Sequence, residues 1–255
     1  MQDITVALVQ ADQVWEDKTA NFKNYLRLTD NVEADLIILP EMFNTGFTMN
    51  TTEMSEPFEN SASIDWLREF SKLRNAAVYT SLIIEDAGSF FNRGVFITPE
   101  GQTAIYDKRK TFSLASEDEY FSSGNSEVIL DYKNWKINLQ ICYDLRFPEL
   151  IRNKLIDGKP AYDLLLYVAN WPEKRSKHWK ALISARAIEN QSYVVGVNRV
   201  GTDDKGHTYS GNSVLVDALG NCHWLESSQE QVSTFVIKRN ELNKIREMLP
   251  FLKDR

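Results

Sequence analysis

Two stretches, ADLIILP (residues 34–40) and YDLLLYVAN (residues 162–170), are apolar without the alternation of a half-exposed strand. Each predicts a strand buried on both faces. Such strands need cover on two sides, so the chain is restricted to an α/β architecture in which helices, or a second sheet, close the faces of the first.

The surrounding pattern supplies that cover. ITVALVQ (residues 4–10) reads as a strand, KTANFKNYLRLTDNV (18–32) as an amphipathic helix and ADLIILP as the next strand, which makes a β-α-β opening. SIDWLREFSKLRN (63–75) predicts a second helix. AVYTSLIIED (77–86) and NRGVFITPEGQTAIYDKRK (92–110) read as strands, with PEG as a hairpin turn, before a long loop through SEDEYFSSGNS (116–126). The second half repeats the logic: strand WKINLQI (135–141), helix FPELIRNKLIDG (147–158) stopped at Gly158, strand YDLLLYVAN, helix SKHWKALISARAIENQ (176–191) and strand SYVVGVNRV (192–200). A hairpin around DALGN (217–221), a strand VSTFVIKR (232–239) and an amphipathic helix NELNKIREML (240–249) follow. With 255 residues, 43% of them hydrophobic, and no repeat or linker, the expectation is one domain over residues 1–255.

Charge and rare residues narrow the function. The formal net charge is −7 with both signs mixed along the chain, which disfavours a nucleic-acid partner. MQDITVALVQ has no basic segment followed by an apolar core, and no apolar run approaches the ~20 residues of a membrane span, so a cytoplasmic protein without membrane attachment is expected. Two cysteines, Cys142 and Cys222, form neither a disulfide framework nor a zinc or redox pair. Three histidines, none spaced i, i+4, point to no metal.

Cys142 is the residue that invites chemistry. In LQICYDLRFPEL (139–150) it ends an apolar strand and precedes a helix start at Pro148, where backbone N–H groups favour a thiolate. A buried structural thiol is the competing reading. Glu41 in LPEMFNTGF (39–47) and Lys108 in YDKRKTF (106–112) end two further strands. Strand ends along one edge of an α/β sheet are where sites are built, so an acid, a cation and a nucleophile can meet there. Taken singly, Glu41 reads as a loop acid and Lys108 as a surface charge.

LPEMFNTGF, YDKRKTF and ICYDLRFPEL, in this order, resemble the three signature segments of the nitrilase superfamily of carbon–nitrogen hydrolases. The resemblance runs on through residues 168–203 and is similar to the ω-amidase branch. It implies a four-layer αββα sandwich, assembled as a homodimer or larger oligomer, and a reaction that needs no cofactor. By the same resemblance Cys142 is the nucleophile, Glu41 the general base and Lys108 the oxyanion stabiliser, with the Tyr143 backbone N–H as a second donor. A further glutamate from the loop after the lysine assists: Glu117, with Glu119 as rival and a merely solvated loop as the alternative. The branch usually has histidine where this chain has Lys110.

The expected substrate is a small anionic amide, such as the monoamide of a short 2-oxo dicarboxylic acid. Arg146, four residues after Cys142, would bind its carboxylate or else brace the turn against Glu149, and Phe43, Phe47 and Trp171 would wall the pocket. A nitrile, an N-carbamoyl amino acid or another amide remains open as substrate, as does a non-catalytic or thiol-redox protein. His178, Arg186 and Glu189 read as helix-face or packing residues and Cys222 as inert; the sequons at Asn50 and Asn190 matter only under secretion.

Overall fold

Alternation along the first strand sorts the fold into layers. In β1 (Ile4–Gln10), Ile4, Val6 and Leu8 join one apolar core while Ala7 and Val9 join another. The structure, a computed structural model, describes residues 2–255.

The first half holds α1 (Lys18–Leu28), β2 (Leu36–Ile38), α2 (Ala62–Arg74), β3 (Ala77–Asp86), β4 (Ser89–Ile97) and β5 (Thr103–Asp107). The second holds β6 (Ile129–Tyr132), β7 (Trp135–Ile141), β8 (Leu164–Ala169), α3 (Ser176–Asn190), β9 (Tyr193–Asn198), β10 (Val214–Val216), β11 (Cys222–Trp224), β12 (Gln231–Ile237) and α4 (Arg239–Met248). One sheet runs β12-β1-β2-β3-β4-β5, and the short strand Glu56–Pro57 pairs with β3. The other runs β11-β10-β9-β8-β7-β6. Each is parallel at its centre, β1-β2-β3 and β7-β8-β9, with antiparallel flanks.

The central core is shared by the two sheets: Ile4, Leu36, Tyr79 and Phe96 from one, Ile137, Leu139, Leu166 and Val195 from the other. On the outer face of the first sheet, Tyr25, Ile64, Leu67 and Phe70 of α1 and α2 pack on Val78 and Val95. Trp179, Ile183 and Ala187 of α3 and Leu242 and Ile245 of α4 belong to the core of the second sheet. This is the αββα sandwich that the resemblance implies.

The expected loop over 116–126 carries a short helix, Glu117–Tyr120, and one expected helix is absent. FPELIRNKLIDG forms no α-helix: 3₁₀ turns over Cys142–Arg146 and Pro148–Leu150 lead into a hairpin pairing Leu155–Ile156 with Lys159–Pro160. Asp157 and Gly158 both have positive φ (50° and 74°), as a two-residue hairpin turn of the mirror-image kind requires. Gly158 therefore closes a hairpin and stops no helix. Asn153 fixes the segment from inside: its buried side chain donates to the carbonyls of Tyr162 and Asn190.

Candidate active site

The carboxyl ends of β2, β5, β7 and β8 converge on one spot and carry Glu41, Lys108, Cys142 and Asn170. Cys142 follows Ile141, the last β7 residue in register with β8, and turns at φ +43°. That value is unusual for a residue with a Cβ and survives only where neighbours enforce it. Asp144 is one enforcer. Its fully buried carboxylate accepts from Ile141 N (3.1 Å), Lys110 N (2.9 Å) and Tyr106 Oη (2.7 Å). Burial raises the Asp144 pKa to about 6, against the opposing pull of the Tyr106 hydroxyl and of Lys108. Arg186 of α3 is another: Nε and Nη2 donate to Leu145 O at 3.0 and 2.6 Å, while Nη1 meets Glu189 at 2.9 Å. Arg186 and Glu189 thus serve packing, as the sequence suggests, and Arg186 alone also reaches the turn.

Behind the thiol lies a buried charged cluster. Lys108 Nζ donates to Glu41 Oε1 (3.0 Å), Glu117 Oε1 (2.8 Å) and Glu117 Oε2 (2.9 Å). Glu41 Oε2 accepts from Asn170 N (2.8 Å), Glu41 O from Asn170 Nδ2 (2.6 Å), and Glu117 Oε2 from Phe112 N (2.6 Å). Burial works against the Lys108 charge, but Glu117 and Glu41 outweigh it and hold the ammonium well above its ordinary pKa. Burial raises the Glu117 pKa despite Lys108. The Cys142 thiol is driven far up, first by burial and next by the Glu41 carboxylate, with Lys108 pulling the other way. At neutral pH it therefore rests protonated.

In front of the thiol opens a cavity of about 290 Å³ that contains Lys108 and Cys142 in its wall. Phe47, Tyr143, Arg146 and Trp171 also line it, as the sequence suggests. Phe47 places its ring 5.3 Å from Lys108 Nζ, and Trp171 lies 4.6 Å beneath the Arg146 guanidinium. Phe43 does not reach the cavity. It is fully buried on the helix side of the first sheet, with ring centroids 5.7 Å from those of both Phe22 and Trp66, because the turn after Glu41 sends it to the opposite face. Glu119 is exposed, whereas Glu117 is fully buried.

Arg146 makes no bond to Glu149. Its two terminal nitrogens each lie 3.3 Å from His178 Nδ1, and among the described residues no carboxylate stands within ion-pair distance of it. His178 is thus a helix-face neighbour of the pocket arginine. Lys110 sits over the Phe147 ring, outside the cavity wall. Cys222 is half-buried, 3.1 Å from Ser184 Oγ.

Sequence reasoning missed four contributors. Asn170 ends the segment YDLLLYVAN, yet its two bonds to Glu41 join residues 129 apart and show no local pattern. Asn92 sits in the strand FFNRGVF beside the charged Arg93, and its bonds to Glu41 and Glu117 likewise join residues far apart in sequence. Asp203 and Tyr209 enter the cavity wall on the hairpin that pairs Val200–Thr202 with Thr208–Ser210, and Tyr209 Oη donates to Asp203 Oδ2 at 2.8 Å.

Among the described residues no helix is long and apolar enough to cross a membrane, and no cluster of three or more potential metal ligands occurs. The carbon–nitrogen hydrolase family model matches residues 5–247. A Yersinia enterocolitica protein named omega-amidase YafV is 44% identical over 221 residues, covering 86% of this chain and 84% of that one. A Bacillus subtilis 2-oxoglutaramate amidase is 29% identical over 255 residues, covering 98% and 96%. Among solved structures, a Xanthomonas campestris protein of the CN-hydrolase superfamily, described with an arsenic adduct in its active site, superimposes with a TM-score of 0.97 at 36% identity, covering 100% of this chain and 98% of that one.

Proposed function

The chain belongs to the carbon–nitrogen hydrolase family, and from that premise we propose an ω-amidase that releases ammonia from the terminal amide of short 2-oxo dicarboxylic acid monoamides. It is an amide-hydrolysing enzyme. The substrate assignment is supported by the relatives named omega-amidase and 2-oxoglutaramate amidase. One observation in the site carries it: Arg146 faces the thiol's cavity with no carboxylate of its own, beside Lys174, Arg175 and Lys205, which among the described residues also lack an ion-pair partner. A cavity so lined suits a small anion whose carboxylate meets the planar fork of Arg146 while its amide reaches Cys142.

The chemistry follows from the donors. As Sγ of Cys142 attacks the amide carbon, Glu41 takes the thiol proton, which the thiol does not release unaided. The carbonyl oxygen becomes an oxyanion, held by Lys108 Nζ and the Tyr143 N–H in the first turn after the nucleophile. Lys108 can turn toward it because its bond to Glu117 is split over both carboxylate oxygens, and one contact can be given up without losing the pair. Collapse of the adduct breaks the carbon–nitrogen bond, Glu41 returns its proton to the leaving nitrogen, and ammonia departs from a thioester. Water, deprotonated by Glu41, then cleaves the thioester; the product acid leaves and the thiol regains its proton. Glu117 holds Lys108 and, through Phe112 N, the loop that rims the cavity.

The same reading treats residues 1–255 as one catalytic domain acting as a cytoplasmic homodimer, which suits its two free cysteines. The test is ammonia release from a panel comprising 2-oxoglutaramate, a neutral amide of similar length, an N-carbamoyl amino acid and a nitrile. The proposal requires 2-oxoglutaramate to have the highest kcat/KM; a faster N-carbamoyl compound or nitrile overturns it.

A further inference from the structure

Counting donors on the two glutamates singles out a residue with no role so far. Each carboxylate oxygen accepts about two hydrogen bonds. Glu117 Oε1 receives Lys108 and Asn92, and its Oε2 receives Lys108 and Phe112 N. Glu41 Oε1 receives Lys108 and Asn92, at 3.0 and 2.8 Å. Only Glu41 Oε2, with the single bond from Asn170 N, has room for another.

Asn92 is 1% exposed on β4, next to β5, and its carbonyl accepts from Lys108 N at 3.0 Å. Its Nδ2 has two hydrogens and reaches both glutamates, Glu41 Oε1 at 2.8 Å and Glu117 Oε1 at 3.2 Å. Its Oδ1 is buried and unpartnered. An amide turned the other way would aim that oxygen at two carboxylates, so the glutamates fix its orientation at the expense of the oxygen.

We infer that Asn92 is a positioning residue of the site: by bridging Glu41 and Glu117 it prevents a proton from being shared between them and leaves Glu41 Oε2 as the carboxylate oxygen free to take the Cys142 proton. The groups that face Glu41 are Lys108 after β5, Glu117 on the rim loop, Cys142 after β7 and the Tyr79 phenol of β3, which burial and, among nearby charges, Glu41 keep protonated. Of these only Lys108 carries positive charge, so withdrawing two N–H donors leaves two acids competing for one cation.

The inference rests on Glu41 being the base, and its test needs no amide turnover. Iodoacetamide alkylates a thiol by forming an S–C bond and expelling iodide, while the thiol proton passes to the base. Its rate at Cys142 should fall on the acid side. Asn92→Leu keeps the bulk and removes the donors, so the acid limb should move to higher pH; Asn92→Asp, adding a third carboxylate, should move it further. If Asn92→Leu does not fold, Asn92→Ser, whose one hydroxyl cannot serve two carboxylates, carries the same test. An acid limb that stays put in these variants while Glu41→Gln abolishes it overturns the role of Asn92. A limb that persists in Glu41→Gln overturns the base assignment instead.

Discussion

Lys108 Nζ lies 3.0 Å from Glu41 Oε1, and neither side chain is more than 1% exposed. A buried cation between two carboxylates holds both against desolvation, and removing it strands the charges at a cost of about 3–5 kcal/mol. Lys108→Met should therefore lower the melting temperature as well as abolish turnover. Adding Glu117→Gln to Lys108→Met should restore much of the stability and none of the activity. Equal melting temperatures for parent and Lys108→Met would contradict the geometry.

Glu117 and Glu119 separate cleanly. Glu117→Gln puts an amide against Lys108 and Phe112 N, so kcat should fall ~10²-fold. Glu119 is exposed, and Glu119→Gln should stay within about twofold of the parent. Steady-state ammonia release reads both, and a reversed order would refute the placement.

Arg146→Lys keeps the charge and loses the fork. KM for 2-oxoglutaramate should rise about tenfold or more, the worth of a charged hydrogen bond, with kcat and the KM of a neutral amide little changed. A proportional loss on both substrates would make Arg146 a brace.

Asp144 predicts a pH dependence of stability. Its folded pKa, raised by burial to about 6, exceeds its ordinary value of 3.8. Between those values the folded state binds the proton more tightly than the unfolded one, so the stability linked to it is present below ~4 and is lost as pH rises through ~6. In paired urea titrations, the stability of the parent relative to Asp144→Asn should decline from pH 4 to pH 6.5 and then level off. A difference that is constant over that range would rule the linkage out.

The layers were legible because unbroken apolar strands and 3.6-residue stripes record burial directly. Glu41, Lys108 and Cys142 were legible as strand ends within short motifs. The hairpin at Leu155–Pro160 was misread because its apolar spacing passes for a short helix, although the Asp157–Gly158 pair carries the turn signal. Phe43 was misplaced because a sharp turn decides on which side of a sheet a side chain falls, and proximity in sequence to Glu41 does not. Asn92 and Asn170 act across 51 and 129 residues of sequence, and such pairings leave no local trace.

The central claim is that Cys142 carries the acyl group. Rapid quenching of a single turnover with 2-oxoglutaramate, followed by peptide mass spectrometry, reads it directly. The account requires an adduct on Cys142 with the mass of the substrate less ammonia, rising and then decaying as product forms, and absent in Cys142→Ala. Turnover that persists after Cys142 is fully alkylated, or an acyl group found on another residue, would contradict it.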